Sequence, residues 1–194
     1  LIRRGCFGAS QYQALGWAVD LAEEVVADNY RFSEAFWQDK GRYEIKTLTQ
    51  LQPEEISHQA LAQVVKCLKP GAGHRPRQFF RICLQDHRIE AARRGATLDM
   101  KSLLLYVVTH ELIHVVRFAR HDQLFEAGAE ARRQEEQRVH DLTCRFLGPL
   151  GLRGAARVFA YASPADRPAE YHFRVQESDP RPLAPHSGFQ GGIV

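Results

Sequence analysis

The chain has 194 residues, 44% of them hydrophobic and 25% charged, with a formal net charge of +3. That length suits one domain with a core of its own, and the composition is that of a globular protein, not a fibrous or disordered one. The basic residues are scattered (Arg3-Arg4, Arg75, Arg77 and Arg81, Arg93-Arg94, Arg132-Arg133) and form no stripe interleaved with aromatics, so nucleic-acid binding is not expected.

No uninterrupted apolar run approaches the roughly 20 residues of a membrane span; the greasiest segment, Leu103 to Val108, runs straight into His110-Glu111 and reads as a buried helix. The segment Leu1 to Cys6 has no signal-peptide core behind it. Cys6, Cys67, Cys83 and Cys144 are widely spaced, with no C-x-x-C pair, which argues against a disulfide framework or a thiolate zinc site. Reduced thiols and a cytoplasmic location are the expectation.

In chain order, Leu15, Ala18, Val19, Ala22, Val25 and Val26 recur at helical spacing and predict a helix from Gln11 to Asp28. A short helical piece follows over Ser33–Gln38. Tyr43 to Leu48 alternates as a half-buried strand does. Pro53-Glu54-Glu55 carries helix-start signals, Pro near the first turn and acids within it, and predicts a helix through Ile56, Leu61, Val64 and Val65 to Leu68. Gln78 to Leu84 is the strongest strand signal. Asp99 or Thr97 can cap a helix from about Met100 to Arg120; further helices are expected over Leu124–Phe146 and Leu152–Ala160. From Ser163 onward Pro and Gly punctuate the chain, and residues 178–194 read as a flexible tail behind a single domain of residues 1–177. The expected architecture is α+β, mostly helical with few strands.

The chemistry concentrates in His110-Glu111-Leu112-Ile113-His114. Two histidines at i and i+4 project from one helix face, one turn apart, so both imidazoles can reach one zinc ion at about 2.0–2.1 Å. Glu111, beside His110, can face a water at the metal and take its proton. The residue types therefore suit hydrolysis rather than metal storage. Polar groups on so apolar a helix are costly unless something satisfies them.

A third ligand has to come from elsewhere. His121 is seven residues past His114, about 10 Å further along a continuing helix, and out of reach. Arg117 and Arg120 stand where one class of zinc peptidases places a Gly and a third His. On the following helix Glu135 and Glu136 both fall near one edge of the stripe Val139, Leu142, Phe146 and Leu147, and periodicity does not choose between them. His140, one turn past Glu136, can orient a ligand or hold a substrate oxyanion. Tyr106, one turn before His110, reads as core.

The two segments Thr109–His114 and Glu136–Pro149 resemble the glutamate-type zincins, especially the compact ImmA/IrrE-type peptidases. In that group the third-ligand Glu opens a helix reading approximately E-x-x-A-N-x-F-A-x-x-L-L-x-P; here Glu136, Val139, His140, Leu142, Thr143, Phe146, Leu147 and Pro149 fall at the matching positions. The resemblance covers about 40 residues. It implies a zincin-like fold, Zn2+ held by His110, His114 and Glu136, and cleavage of protein or peptide substrates with Glu111 as general base. It also likens Gln78–Leu84 to the zincin edge strand that aligns an extended peptide by main-chain pairing. The rival expectations are a zincin-like binding or regulatory module without catalysis, and a zinc hydrolase of a non-peptide amide. The tail segment Pro185–Val194, with Phe189 and a terminal Ile-Val, is a candidate partner-binding or self-inhibitory element.

Overall fold

The computed structural model describes residues 6–69, 77–122, 128–164 and 174–177, and the expected tail over 178–194 lies outside them. Among the described residues, six α-helices and a four-stranded mixed sheet give the α+β architecture that the sequence predicts. Helix α1 (Ala9–Tyr30) buries Ala14, Leu15, Ala18, Ala22, Val25 and Val26 along one stripe and ends at Arg31 in the left-handed region (φ 55°). Helix α2 (Ala35–Gln38) is a single turn that buries Trp37. Strand β1 (Tyr43–Lys46) stops before Leu48, because Leu48–Gln50 closes a 3-10 turn in which the Thr47 amide donates to Gln50 Oε1 at 3.1 Å.

The expected helix beyond Pro53 is corrected. Pro53–Glu55 forms only a 3-10 turn, and Ala62–Lys69 is a strand, β2. It pairs antiparallel along its whole length with β3 (Arg77–Leu84), with Val64 opposite Ile82 and Cys67 opposite Phe79. Ala62 and Val64 face the main core while Val65 and Cys67 face a second cluster with Phe79 and Cys83. Burial on both faces makes such a strand read as a continuous apolar run, which periodicity alone does not separate from a buried helix.

The sheet order is β1-β3-β2-β4, with β1 parallel to β3 and β4 (Arg174–Glu177) parallel to β2. Strand β3 is thus internal, with β1 paired to Phe80–Cys83 on one side and β2 along its whole length on the other. The expectation that Gln78–Leu84 is an edge strand that pairs with a peptide is therefore overturned. Neither β4 nor α3 (Asp86–Gly95) is foreseen from the sequence. Helix α3 buries Asp86, whose carboxylate accepts from the amides of Phe7 and Leu48 at 3.0 and 3.1 Å and so ties the start of the chain to β1's exit.

Helix α4 (Met100–Ala119) begins at Asp99, whose side chain accepts from Ser102 N at 2.9 Å. Every residue from Ser102 to Ala119 is buried, because α1, α3, α5 (Ala129–Leu147), α6 (Ala155–Ala162) and β2 all pack on it. By length and a mean hydropathy of 1.3, α4 meets the criteria for a membrane span, a feature hidden from a run-by-run reading by His110, Glu111 and His114; here the whole span is buried inside the fold. Helix α5 starts at Ala129 after Gly128 in extended conformation, later than the expected Leu124, and Gly148-Pro149 ends it as predicted. The four cysteines are free, Cys67 and Cys83 buried and the other two half-buried.

Candidate metal centre

His110 and His114 leave α4 on one face, as their i, i+4 spacing requires, and α5 crosses that face with Glu136. Three side-chain atoms converge there. His110 Nε2 lies 3.2 Å and His114 Nε2 3.3 Å from Glu136 Oε2, and the two ring nitrogens are 3.3 Å apart. Tetrahedral coordination at 2.0–2.1 Å separates neighbouring ligand atoms by roughly 3.3 Å, so the triangle has the dimensions of one face of such a site. The residues are 5%, 1% and 0% exposed respectively. Glu136 Oε1 is buried and, although 3.2 Å from His114 Nε2, makes no hydrogen bond of acceptable geometry. Two ring nitrogens and a carboxylate oxygen that converge in a dry setting, with Glu136 Oε1 left over, compensate one another only in part. A cation fits what they lack. Among the described residues, these three are the group of His, Cys, Asp and Glu side chains whose ligand atoms are close enough to share an ion.

The electrostatics agree with the geometry. Burial pushes the Glu136 carboxyl up, but the neighbouring His114 and His110 outweigh it and hold it at about 2. Burial lowers His110 below the usual imidazole range, with the Glu136 hydrogen bond opposing only in part. Both directions favour the deprotonated donors that a metal needs. Glu111 is 4% exposed; burial, reinforced by the Glu136 charge and opposed by His114, pushes it up to about 8. A divalent cation at the triangle acts in the opposite direction and favours the carboxylate.

The structure separates the two glutamates that periodicity leaves equivalent. Glu135 turns to Arg117, one turn past His114, which donates from Nε to Oε1 and from Nη2 to Oε2, the latter at 3.1 Å. This buried, bidentate pair sets the register of α5 on α4 and leaves Glu136 to face the histidines. His121 is exposed, sits in the left-handed region (φ 60°) beyond the end of α4, and lines a cavity of about 940 Å3 with Arg42, Arg77, Arg120 and Asp122. It is not brought to the triangle.

His140 comes close but does not join. Its Nδ1 lies 2.7 Å from Tyr106 Oη and its Nε2 3.6 Å from Cys144 Sγ, so both ring nitrogens are engaged away from the three converging atoms. Tyr106 Oη is in turn 3.5 Å from His110 Nδ1. Tyr106, read from the sequence as core, is part of the main core and also brings its hydroxyl to both histidines. The available signal was its position one turn before His110. Comparison with protein-family models, with curated proteins and with solved structures finds no match for this chain.

Proposed function

We propose that the chain is a zinc-dependent metallopeptidase in which His110, His114 and Glu136 hold the ion and Glu111 is the general base. The observation that carries this reading is the buried triangle of His110 Nε2, His114 Nε2 and Glu136 Oε2, with edges of 3.2–3.3 Å. Three protein ligands leave a fourth position open, the pattern of catalytic rather than structural zinc. Zinc, when bound, supplies Lewis acidity that makes water nucleophilic near neutral pH and polarises a carbonyl.

The protein's own groups do the rest. Glu111, next to His110 and within the field of His114 and Glu136, receives the proton of the attacking water on its carboxylate. It then delivers a proton to the departing amide nitrogen, so that one water and one peptide bond become a carboxylic acid and an amine. The burial of the triangle, at most 5% exposed, strengthens these interactions by lowering the local dielectric. Glu135 and Arg117 belong to the support, not to the chemistry.

Purified protein loaded with Zn2+ is expected to cleave a mixture of unfolded-protein peptides. Glu111→Gln is expected to slow that cleavage by about 10²- to 10⁴-fold while leaving zinc content at one ion per chain. Zinc binding without any Glu111-dependent cleavage would leave a binding module in its place. Glu111-dependent hydrolysis of small amides alone would favour a non-peptide amidohydrolase.

A further inference from the structure

The seam between α4 and α5 holds a second set of polar groups, one turn from the triangle, which the reaction above does not use. Tyr106 and His140 are 4% and 8% exposed. They meet across the two helices at 2.7 Å. The Tyr106 ring is held from another side by Phe159 of α6, with centroids 6.1 Å apart. A buried phenol satisfied by a buried imidazole is a fixed object, and its oxygen also faces His110 Nδ1 at 3.5 Å.

We infer that Tyr106 is a positioning residue for His110, and that His110, Tyr106, His140 and Cys144 form one hydrogen-bond chain with a single direction. The inference rests on the metal reading. An imidazole that offers its Nε2 lone pair to a cation carries its proton on Nδ1. His110 Nδ1–H therefore donates to Tyr106 Oη. The phenol then has its own O–H to place, and the acceptor in reach is His140 Nδ1. That nitrogen has to be bare, so His140 carries its proton on Nε2 and donates it to Cys144 Sγ, 3.6 Å away. Followed in this direction, the chain assigns His140 as the neutral Nε2–H tautomer. The arrangement orients the His110 ring and fixes its tautomer by way of a hydroxyl rather than the carboxylate or backbone carbonyl more usual behind a metal-bound histidine. His140, a candidate for catalysis from sequence, acts in this account at one remove, through Tyr106.

The test compares wild type, Tyr106→Phe, His140→Gln and His140→Leu. Zn2+ affinity is measured by competition with a chromogenic chelator, and the ring-nitrogen shifts of His140 by NMR of the zinc-loaded, 15N-labelled protein. Tyr106→Phe is expected to weaken zinc binding by roughly tenfold and to abolish the Nε2–H preference of His140. The metal-free unfolding midpoint should move little. His140→Gln, which keeps an acceptor for the phenol, should stay nearer to wild type than His140→Leu. Wild-type affinity and an unchanged His140 tautomer in Tyr106→Phe would overturn the inference while leaving the metal reading intact. A wild-type protein that binds no zinc would overturn both. A His140 found as the Nδ1–H tautomer in the zinc-loaded wild type would reverse the direction of the chain and overturn the inference alone.

Discussion

The outer face of the sheet and the seam between α4 and α5 both bury carboxylates, by opposite means. On the sheet, Arg81 reaches Glu44 at 2.5 Å and Glu55 at 2.6 Å, and the second oxygen of Glu55 accepts from the Gln52 amide at 2.9 Å. The Glu55 carbonyl takes further bonds from Gln63 and Gln85, both at 2.8 Å. Positive and negative charge are both present, and the network is closed. At the seam, Glu136 meets two imidazoles whose nitrogens also face each other, and one of its oxygens is left without a hydrogen bond. Of the two, only the seam leaves a buried carboxylate oxygen without a hydrogen bond. Burial of charge is thus not a sign of function in itself; the sign is burial whose compensation is incomplete.

This contrast can be broken or sharpened by mutation. The largest effect is expected from His114→Ala, which should abolish stoichiometric zinc binding by metal analysis after dialysis. It should also remove the stabilisation that zinc confers on wild type, about 4.1 kcal/mol at a free ion concentration one thousand times Kd, read from urea unfolding with and without chelator. Next, Arg81→Met should cost on the order of 3 kcal/mol by leaving Glu55 buried without its partner, yet keep zinc affinity within about twofold. A comparable loss of zinc binding there would show that the two networks are coupled and that the contrast is false. The smallest effect belongs to Arg117→Met. With Glu135 released, the register of α5 should loosen, and zinc affinity should fall by about tenfold in the chelator competition, as is usual for groups that support a ligand from behind. Glu135→Gln, which keeps one acceptor for Arg117, should lose less.

The two regions also differ in how far the sequence foretells them. Helices α1, α4 and α5 are long, and the His110–His114 spacing needs only helix geometry to bring two imidazoles together. Local information sufficed. The sheet depends on partners far along the chain. Val64 and Val65 become a strand because β3 is there to pair with them, and the helix-start signals at Pro53–Glu55 are used up in one 3-10 turn. Whether Gln78–Leu84 lies at an edge or in the middle is decided by β1, a property that no local pattern carries. Glu135 and Glu136 differ by only 100° around α5, and Arg117 is what tells them apart. Tyr106 reads as core and is core, but the contacts of its hydroxyl leave no mark on hydrophobic periodicity.

The encirclement of α4 bears on time as well as on energy. An ion at this helix would sit where every side chain from Ser102 to Ala119 is covered, at a triangle that is at most 5% exposed. Exchange then waits on opening of the α4–α5 seam, a sub-global fluctuation of the kind that protects amides from hydrogen exchange. Release of the ion should accordingly be slow and independent of chelator concentration once the chelator is in excess, and should run in step with amide exchange in α5. On this view the seam acts as a clock on how long the protein stays armed.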